Sequence, residues 1–331
     1  MAKKNVAVVS GGGSGEYDIS IKSGQEVAKA IDKQRYSVYP IIIRGKDWYC
    51  QLAPKERINV DKNDFTITVS GEKIFFHCVF DAIHGTPGED GKLQGYFDML
   101  NIPYTSCNHV VSAITFHKGF CNMAVRSLKM DDLKVSDSVL LTADEFFEQD
   151  DIIKKIGLPC FVKPVQSGSS VGVSKVKKAE ELPAAMEAAF EVCDEIMVEC
   201  FVKGRELTCA VFNNKGAIKA LPIAEIVSKK EFFDLEAKYD SRLNQEIIPA
   251  PVSEALTKRI QGISKALFRH LRCKGIVRFD YIATAQDEIY FLEANTVPGM
   301  TSESIVPKMM KVENISATEF YGMLIEGAMG V

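Results

Sequence analysis

The sequence reads as an α/β protein of more than one domain, opening in a parallel α/β layer. Three observations lead there. At 331 residues the chain exceeds what one hydrophobic core usually organises, and roughly 100–200 residues per domain gives two or three. Its 46% hydrophobic and 25% charged residues are ordinary for a folded protein. Short apolar runs rich in β-branched residues alternate with amphipathic stretches, beginning with strand, glycine loop, helix and strand within residues 5–43.

Residues 5–10 form an apolar run stopped by Gly11, Gly12, Gly13, Ser14 and Gly15. A helix is expected over 19–32 and a second strand over 36–43. The glycine loop fails as a dinucleotide fingerprint, because Glu16 occupies the last glycine position and the second strand ends in Arg44 rather than an acid. A P-loop fails as well: Gly85 and Gly91 are too far apart, and Lys92 is followed by Leu93. A nucleotide must therefore be held another way. After a change of pattern near 101–106, helical periodicity covers 110–125, followed by a strand near 138–141, a helix near 143–155 and a strand at 160–163. Residues 166–172 (QSGSSVG) form a small-residue tip leading into the β-branched stretch 171–176, which predicts a β-hairpin. A helix over 179–193, a strand over 196–202, further strands from 206, a polar-aromatic loop over 228–244, a helix over 252–271 and strands at 276–283 and 289–295 complete the order.

The net charge of -4 argues against a binder of phosphate backbones, so nucleic acid is not an expected partner. No run approaches the ~20 apolar residues that span a bilayer, and the first ten residues read as a strand rather than a signal peptide, so a cytoplasmic protein without a membrane partner is expected. The nine cysteines are scattered without C-x-x-C spacing, which implies reduced, mostly buried side chains. Of the five histidines, His84 stands out because it lies in a glycine-rich stretch.

The last two strands carry the strongest chemical signal. With a turn centred between Gln286 and Asp287, Asp280 faces Glu293 and Arg278 faces Asn295, all on one side of the hairpin. Opposed carboxylates destabilise a sheet unless a positive charge sits between them. Their oxygen donors suit Mg²⁺ shared with substrate phosphates; the other reading is a solvated hairpin face with a cross-strand Arg–Glu pair. The following stretch 293–304 (EANTVPGMTSES) brings Gly299, where the backbone can approach a ligand closely, so its N–H can donate to an oxyanion beside Arg278.

With Arg278 and Asp280, that stretch resembles the metal and substrate core of D-alanine-D-alanine ligases, members of the ATP-grasp superfamily. The resemblance spans nearly the whole chain. It includes residues 12–20 (GGSGEYDIS), 84–91 (HGTPGEDG), Lys163-Pro164 with 167–172, the hinge 199–206 and 236–239 (EAKY). It implies a three-domain α+β ATP-grasp architecture: an N-terminal Rossmann-like substrate domain (1–104), a central subdomain with a phosphate-covering hairpin (105–197), and a C-terminal subdomain with the lid and the metal and substrate site (198–331).

Residue roles follow from the resemblance together with side-chain chemistry. Lys118 and Lys163 would neutralise the α- and β-phosphates of ATP, Lys238 would reach the transferred phosphate, and Ser169 and Ser170 would sit in the covering hairpin. Outside this context each lysine would read as a solvated surface residue. His117 stands before Lys118 where the family usually has aspartate. Glu206 would hold the ribose, and Glu199 with the backbone of Cys200, Phe201 and Val202 the adenine; otherwise Glu199 is a charge at a strand end. Asp280, Glu293 and Asn295 would bind two Mg²⁺ ions, with Mn²⁺ able to substitute. Glu16 would bind the ammonium of the first D-alanine, with Ser169 and Tyr239 hydrogen-bonded near it. Ser304 and Ile305 would receive the second D-alanine. His84 is open between positioning, proton transfer and a structural role.

The implied activity is ATP-dependent joining of two D-alanines, through a D-alanyl phosphate, for peptidoglycan precursors, by a homodimer. The alternatives are a D-alanine-D-lactate ligase, disfavoured by Tyr239 where that reading implies phenylalanine, another ATP-grasp ligase, or a catalytically silent nucleotide-binding module.

Overall fold

The computed structural model describes residues 2–53, 56–145, 147–168, 171–228 and 244–331. Among the described residues three large sheets organise the chain, beside a two-stranded one formed by Ile67–Val69 and Glu72–Ile74. The first has five strands in the order Glu56–Asn59, Asp47–Ala53, Tyr36–Arg44, Lys4–Gly11, Cys78–Asp81. Lys4–Gly11 pairs in parallel with both neighbours. It is apolar throughout because both faces are covered: Val6 and Val8 enter one core, Ala7 and Val9 another. The expected opening helix runs over Tyr17–Ala30. The antiparallel strands Asp47–Ala53 and Glu56–Asn59, and the helix Lys92–Met99, are elements the periodicity did not single out.

A four-stranded sheet follows, in the order Ser174–Val176, Cys160–Pro164, Glu195–Cys200, Ser138–Thr142. Helices Gln149–Ile156 and Leu182–Phe190 cover one face through Cys160, Val162, Ile196 and Val198. By strand alternation Phe161, Lys163, Met197 and Glu199 point to the opposite face.

The third sheet has seven strands and includes Arg205–Asn214, Ile276–Ala283 and Ile289–Asn295 side by side. The helix Glu254–His270 packs on one face through Leu256, Ile260, Ile263 and Leu267. Residues 107–133 join the same core through Cys107, Val111, Cys121, Val125 and Leu133. On the other face one end is closed by Ala210, Phe212 and Ile276, which share a core with the N-terminal sheet and the last helix, Ala317–Met329.

The single helix expected over 110–125 is two helices, His109–Phe116 and Lys118–Ser127, separated by His117 in extended backbone. The His117 ring accepts at Nδ1 from the Phe120 N–H, capping the second helix as an aspartate would. Among the described residues, no helix is long and apolar enough to cross a membrane.

Candidate active site

The last two strands hold the pairing that the sequence implies. Val277, Phe279 and Tyr281 enter the core together with Ile289, Phe291 and Ala294, so Arg278, Asp280, Glu293 and Asn295 occupy the opposite face. Arg278 pairs with Asn295 and Asp280 with Glu293. The turn, however, differs from the expected one. Ala283 pairs with Ile289 and Tyr281 with Phe291, and the register shifts between Asp280 and Tyr281. Continued without that shift, the turn-end register would set Leu292 against Asp280 and Ala294 against Arg278. The β-bulge at Leu292 is what puts both carboxylates on the site face.

Arg278 donates from Nε to Asp280 Oδ1 at 2.9 Å and from Nη2 to Oδ2 at 2.7 Å, a two-point fork. Burial works against its charge, but Asp280 beside it, with Glu293 and Glu206, holds the guanidinium above its ordinary value. Thr208, opposite Asp280 on the neighbouring strand, donates its hydroxyl to Oδ1. Glu206 lies two residues from Thr208 and therefore on the same face. Thr208 was not foreseen; the period-2 step from Glu206 is the signal that would have found it.

Asn295 donates from Nδ2 to Asp280 Oδ2 at 3.1 Å. An amide rotation exchanges that N–H₂ for a carbonyl oxygen, so the set offers two carboxylates and one amide oxygen to a hard cation. Among the described residues no cluster of three or more His, Cys, Asp or Glu side chains gathers, so substrate phosphate oxygens would have to complete any Mg²⁺ shell.

Lys118 begins its helix and points into this site: its Nζ is 3.8 Å from Glu293 Oε2 and donates to the Ser167 carbonyl at 2.7 Å. It thus links the site strand to the hairpin tip. On the face of the four-stranded sheet away from its two helices, Lys163 and Glu199 form a buried ion pair, and Ser136 donates to the other Glu199 oxygen at 2.6 Å. Phe201 lies under the Lys175 ammonium, 4.0 Å from the ring centre, and 5.9 Å from the Phe161 ring. Val202 follows Phe201 in the same segment and is half-buried. Ser169, Ser170, Lys238 and Tyr239 lie outside the described residues.

Glu16 reaches the hairpin: a Cβ placed on Gly168 would come within 2.2 Å of Glu16 Oε2, so the carboxylate lies directly against the backbone of residue 168. A Cβ placed on Gly299 would lie 2.7 Å from Ser304 Oγ. The Ser304 hydroxyl meets Thr301 Oγ1 at 2.8 Å, and Ile305 opens the helix Ile305–Val312. His84 has both ring nitrogens engaged. A carbonyl can only accept, so Nδ1–H donates to the Val297 oxygen at 2.9 Å, and Nε2 accepts from the Ser23 hydroxyl at 3.1 Å. This geometry fits positioning rather than proton transfer. Glu89, inside the 84–91 stretch, went unremarked in the sequence; its carboxylate accepts from the Gly85 and Val297 N–H groups.

Known proteins resemble this chain over nearly its full length. Residues 5–107 match the family model described as D-ala D-ala ligase N-terminus, and 128–326 the one described as D-ala D-ala ligase C-terminus. The chain is 41% identical over 324 residues to a D-alanine--D-alanine ligase of Bacteroides fragilis, covering 98% of this chain and 99% of that one. The VanG D-Ala:D-Ser ligase from Enterococcus faecalis is similar in structure, with a TM-score of 0.86 and 32% identity, covering 99% of this chain and 100% of that chain. A Bacillus anthracis D-alanine--D-alanine ligase complexed with ATP gives a TM-score of 0.79 at 30% identity, covering 100% of this chain and 98% of that one.

Proposed function

The chain belongs to the D-alanine-D-alanine ligase family and is an ADP-forming, ATP-dependent ligase of two D-alanines, and we propose that the two charged sheet faces and the 296–304 turn perform that reaction as follows. The observation that carries this reading is the bulge-set face on which Arg278, Asp280, Glu293 and Asn295 meet Lys118.

A carboxylate is a poor electrophile, so amide synthesis needs activation. The first D-alanine, its ammonium at Glu16 with Ser169 and Tyr239 nearby, attacks the γ-phosphorus of ATP through a carboxylate oxygen, and ADP leaves. Adenine lies against Glu199 and the backbone of Cys200, Phe201 and Val202, with the ribose at Glu206. Lys118, Lys163 and Lys238 bind the phosphates, and Ser170 covers them. Asp280, Glu293 and Asn295 would hold two Mg²⁺, which would neutralise developing phosphate charge when bound, with Mn²⁺ able to substitute.

The amine of the second D-alanine, bound at Ser304 and Ile305, then attacks the acyl phosphate carbonyl. Arg278 and the Gly299 N–H donate to the resulting oxyanion, and phosphate departs as the amide forms. His84 holds the turn that presents Gly299. Because water would hydrolyse an acyl phosphate, closure over the site by the lid bearing Lys238 and Tyr239 belongs to the mechanism.

In this reading residues 1–104 present the first amino acid, 105–197 cover the nucleotide and 198–331 hold the reacting groups. The enzyme works as a homodimer in the cytoplasm. Coupled ADP release with D-alanine alone, then with D-alanine plus D-lactate, D-serine or L-alanine, tests the assignment. Turnover with D-alanine alone is expected to dominate, and faster turnover with any of the others would overturn the dipeptide reading.

A further inference from the structure

The turn after the last site strand is held by side chains of the N-terminal layer. Val297 is gripped on both sides of its own residue: its N–H donates to Glu89 Oε1 at 3.2 Å and its carbonyl accepts from His84 Nδ1 at 2.9 Å. Three residues on, the Met300 N–H donates to Ser23 Oγ at 3.4 Å, and the Ser302 N–H donates to Glu26 Oε2 at 2.5 Å. The Ser23 hydroxyl in turn donates to His84 Nε2, so a chain of bonds of fixed polarity runs from Met300 through Ser23 and His84 to the Val297 carbonyl. Gly299 lies inside this bracket.

Glu89 is the buried charged member of the set. Its second oxygen accepts from the Gly85 N–H at 2.7 Å, so one carboxylate ties the 84–91 loop to the site turn. The Glu16 carboxylate stands beside the same residue: a Cβ on Gly85 would lie 3.9 Å from Glu16 Oε2. Burial pushes this carboxyl up to about 8, and the Glu16 carboxylate is the next cause; the two N–H bonds and the more distant Asp81 act as smaller influences, downward and upward respectively. Of the other charged neighbours, Asp90 is turned to Thr86 and Lys92. His84, on the same loop, donates its Nδ1–H to Val297. Asn295 and Glu293 belong to the strand that runs into Val297.

A protonated carboxyl cannot accept both N–H groups as well as an ionised one does, whereas a cation at Glu16 removes the repulsion that disfavours ionised Glu89. We propose that Glu89 is a positioning residue that couples the two amino-acid sites: an ammonium at Glu16 favours ionised Glu89, which locks Val297 and so sets Gly299 and Ser304 for the second D-alanine. The coupling is reciprocal, as linkage requires. It rests on the reading that Glu16 receives the first ammonium and that the 296–304 turn receives the second substrate.

The test uses the full-length enzyme and the variants Glu89→Gln, Glu89→Ala and Ser304→Ala. Separate first-site and second-site KM values come from D-alanine saturation curves, with ATP affinity measured in parallel. Glu89→Gln keeps the side-chain volume but presents an amide N–H₂ to one of the two backbone donors. It is expected to raise the second-site KM about tenfold while leaving ATP affinity unchanged. With the first ammonium bound, Glu89 ionises below its ligand-free value of about 8, so the wild-type second-site KM should improve with rising pH in the range below about 8, more steeply than that of Glu89→Gln, because substrate ionisation is common to both. Equal second-site KM and equal pH slopes in wild type and Glu89→Gln overturn the inference, provided Ser304→Ala does raise the second-site KM. If Ser304→Ala leaves that KM unchanged, the placement of the second substrate fails, and the coupling fails with it. Should Glu89→Ala fold poorly by its thermal midpoint, Glu89→Gln carries the decision.

Discussion

On the four-stranded sheet Lys163 and Glu199 close into one buried pair, whereas on the seven-stranded sheet Asp280, Glu293 and Glu206 share a face with Arg278 and draw Lys118 from a neighbouring helix. The first face is balanced within itself. The second gathers three carboxylates around one guanidinium and reaches beyond its own strands to the Lys118 ammonium. The difference teaches that the same device, charges paired on a strand face, can close on itself or reach out to a neighbouring element.

The largest expected effect breaks the second face. Glu293→Gln should lower kcat by on the order of 10³-fold, several kcal/mol of barrier, because an amide is a weaker Mg²⁺ ligand. The same change removes a carboxylate opposed to Asp280, so the ligand-free thermal midpoint should hold or rise. Wild-type rates at moderate Mg²⁺ would end the metal assignment. Next, Arg278→Ala should cost on the order of 10² to 10³ in kcat if the guanidinium meets the oxyanion. A change confined to KM would make it a ground-state binder.

The first face should respond with the opposite sign in stability. Lys163→Met leaves Glu199 buried without its cation and should destabilise the fold by about 3–5 kcal/mol in urea unfolding, and Lys163→Met/Glu199→Gln should recover most of that loss. Equal stability of Lys163→Met and wild type would show that the pair is solvated.

A smaller effect concerns the layer that grips the site turn. Asp81 is raised from 3.8 to about 7, by burial first, and Glu89 from 4.5 to about 8. Groups raised in the folded state favour folding most at low pH, so their contribution is complete below about pH 4 and is lost as pH climbs through about 7 and 8. The ligand-free thermal midpoint should therefore drift down from about pH 5 to 8, and Asp81→Asn should flatten part of that drift. The smallest expected effect is at the lid, where Tyr239→Phe should shift the choice between D-alanine and D-lactate as second substrate by roughly threefold to tenfold, the worth of one hydrogen bond. A product ratio identical to wild type from pH 6 to 9 would remove Tyr239 from nucleophile choice.

Much of the site was legible because it lies on neighbouring strands. Alternation and a nearby turn were enough to set Asp280 opposite Glu293, although the turn itself differs from the expected one and a bulge restores the pairing. Groups that meet across long sequence distances were not legible. Glu89 and Val297 are joined by a single hydrogen bond between segments 208 residues apart, and no local period encodes such a contact. His117 is an intermediate case. Its ring caps a helix, yet helical periodicity on both sides of it concealed the break.

The sequence by itself determined much of the order of strands and helices, though not the two short antiparallel strands, the helix Lys92–Met99 or the break at His117, together with the alternation that puts Arg278 and Asp280 on one face and the set of oxygen and lysine side chains available for a phosphate-transfer ligase. Each of these is a short-range property, fixed by backbone periodicity and side-chain chemistry. Only the tertiary structure decided that Lys163 and Glu199 form one pair, that Lys118 bridges the hairpin and the site strand, and that the N-terminal layer clamps the turn of Gly299. Those contacts arise where separate layers bury their apolar faces against one another, and that packing selects which distant polar groups are brought within hydrogen-bond reach.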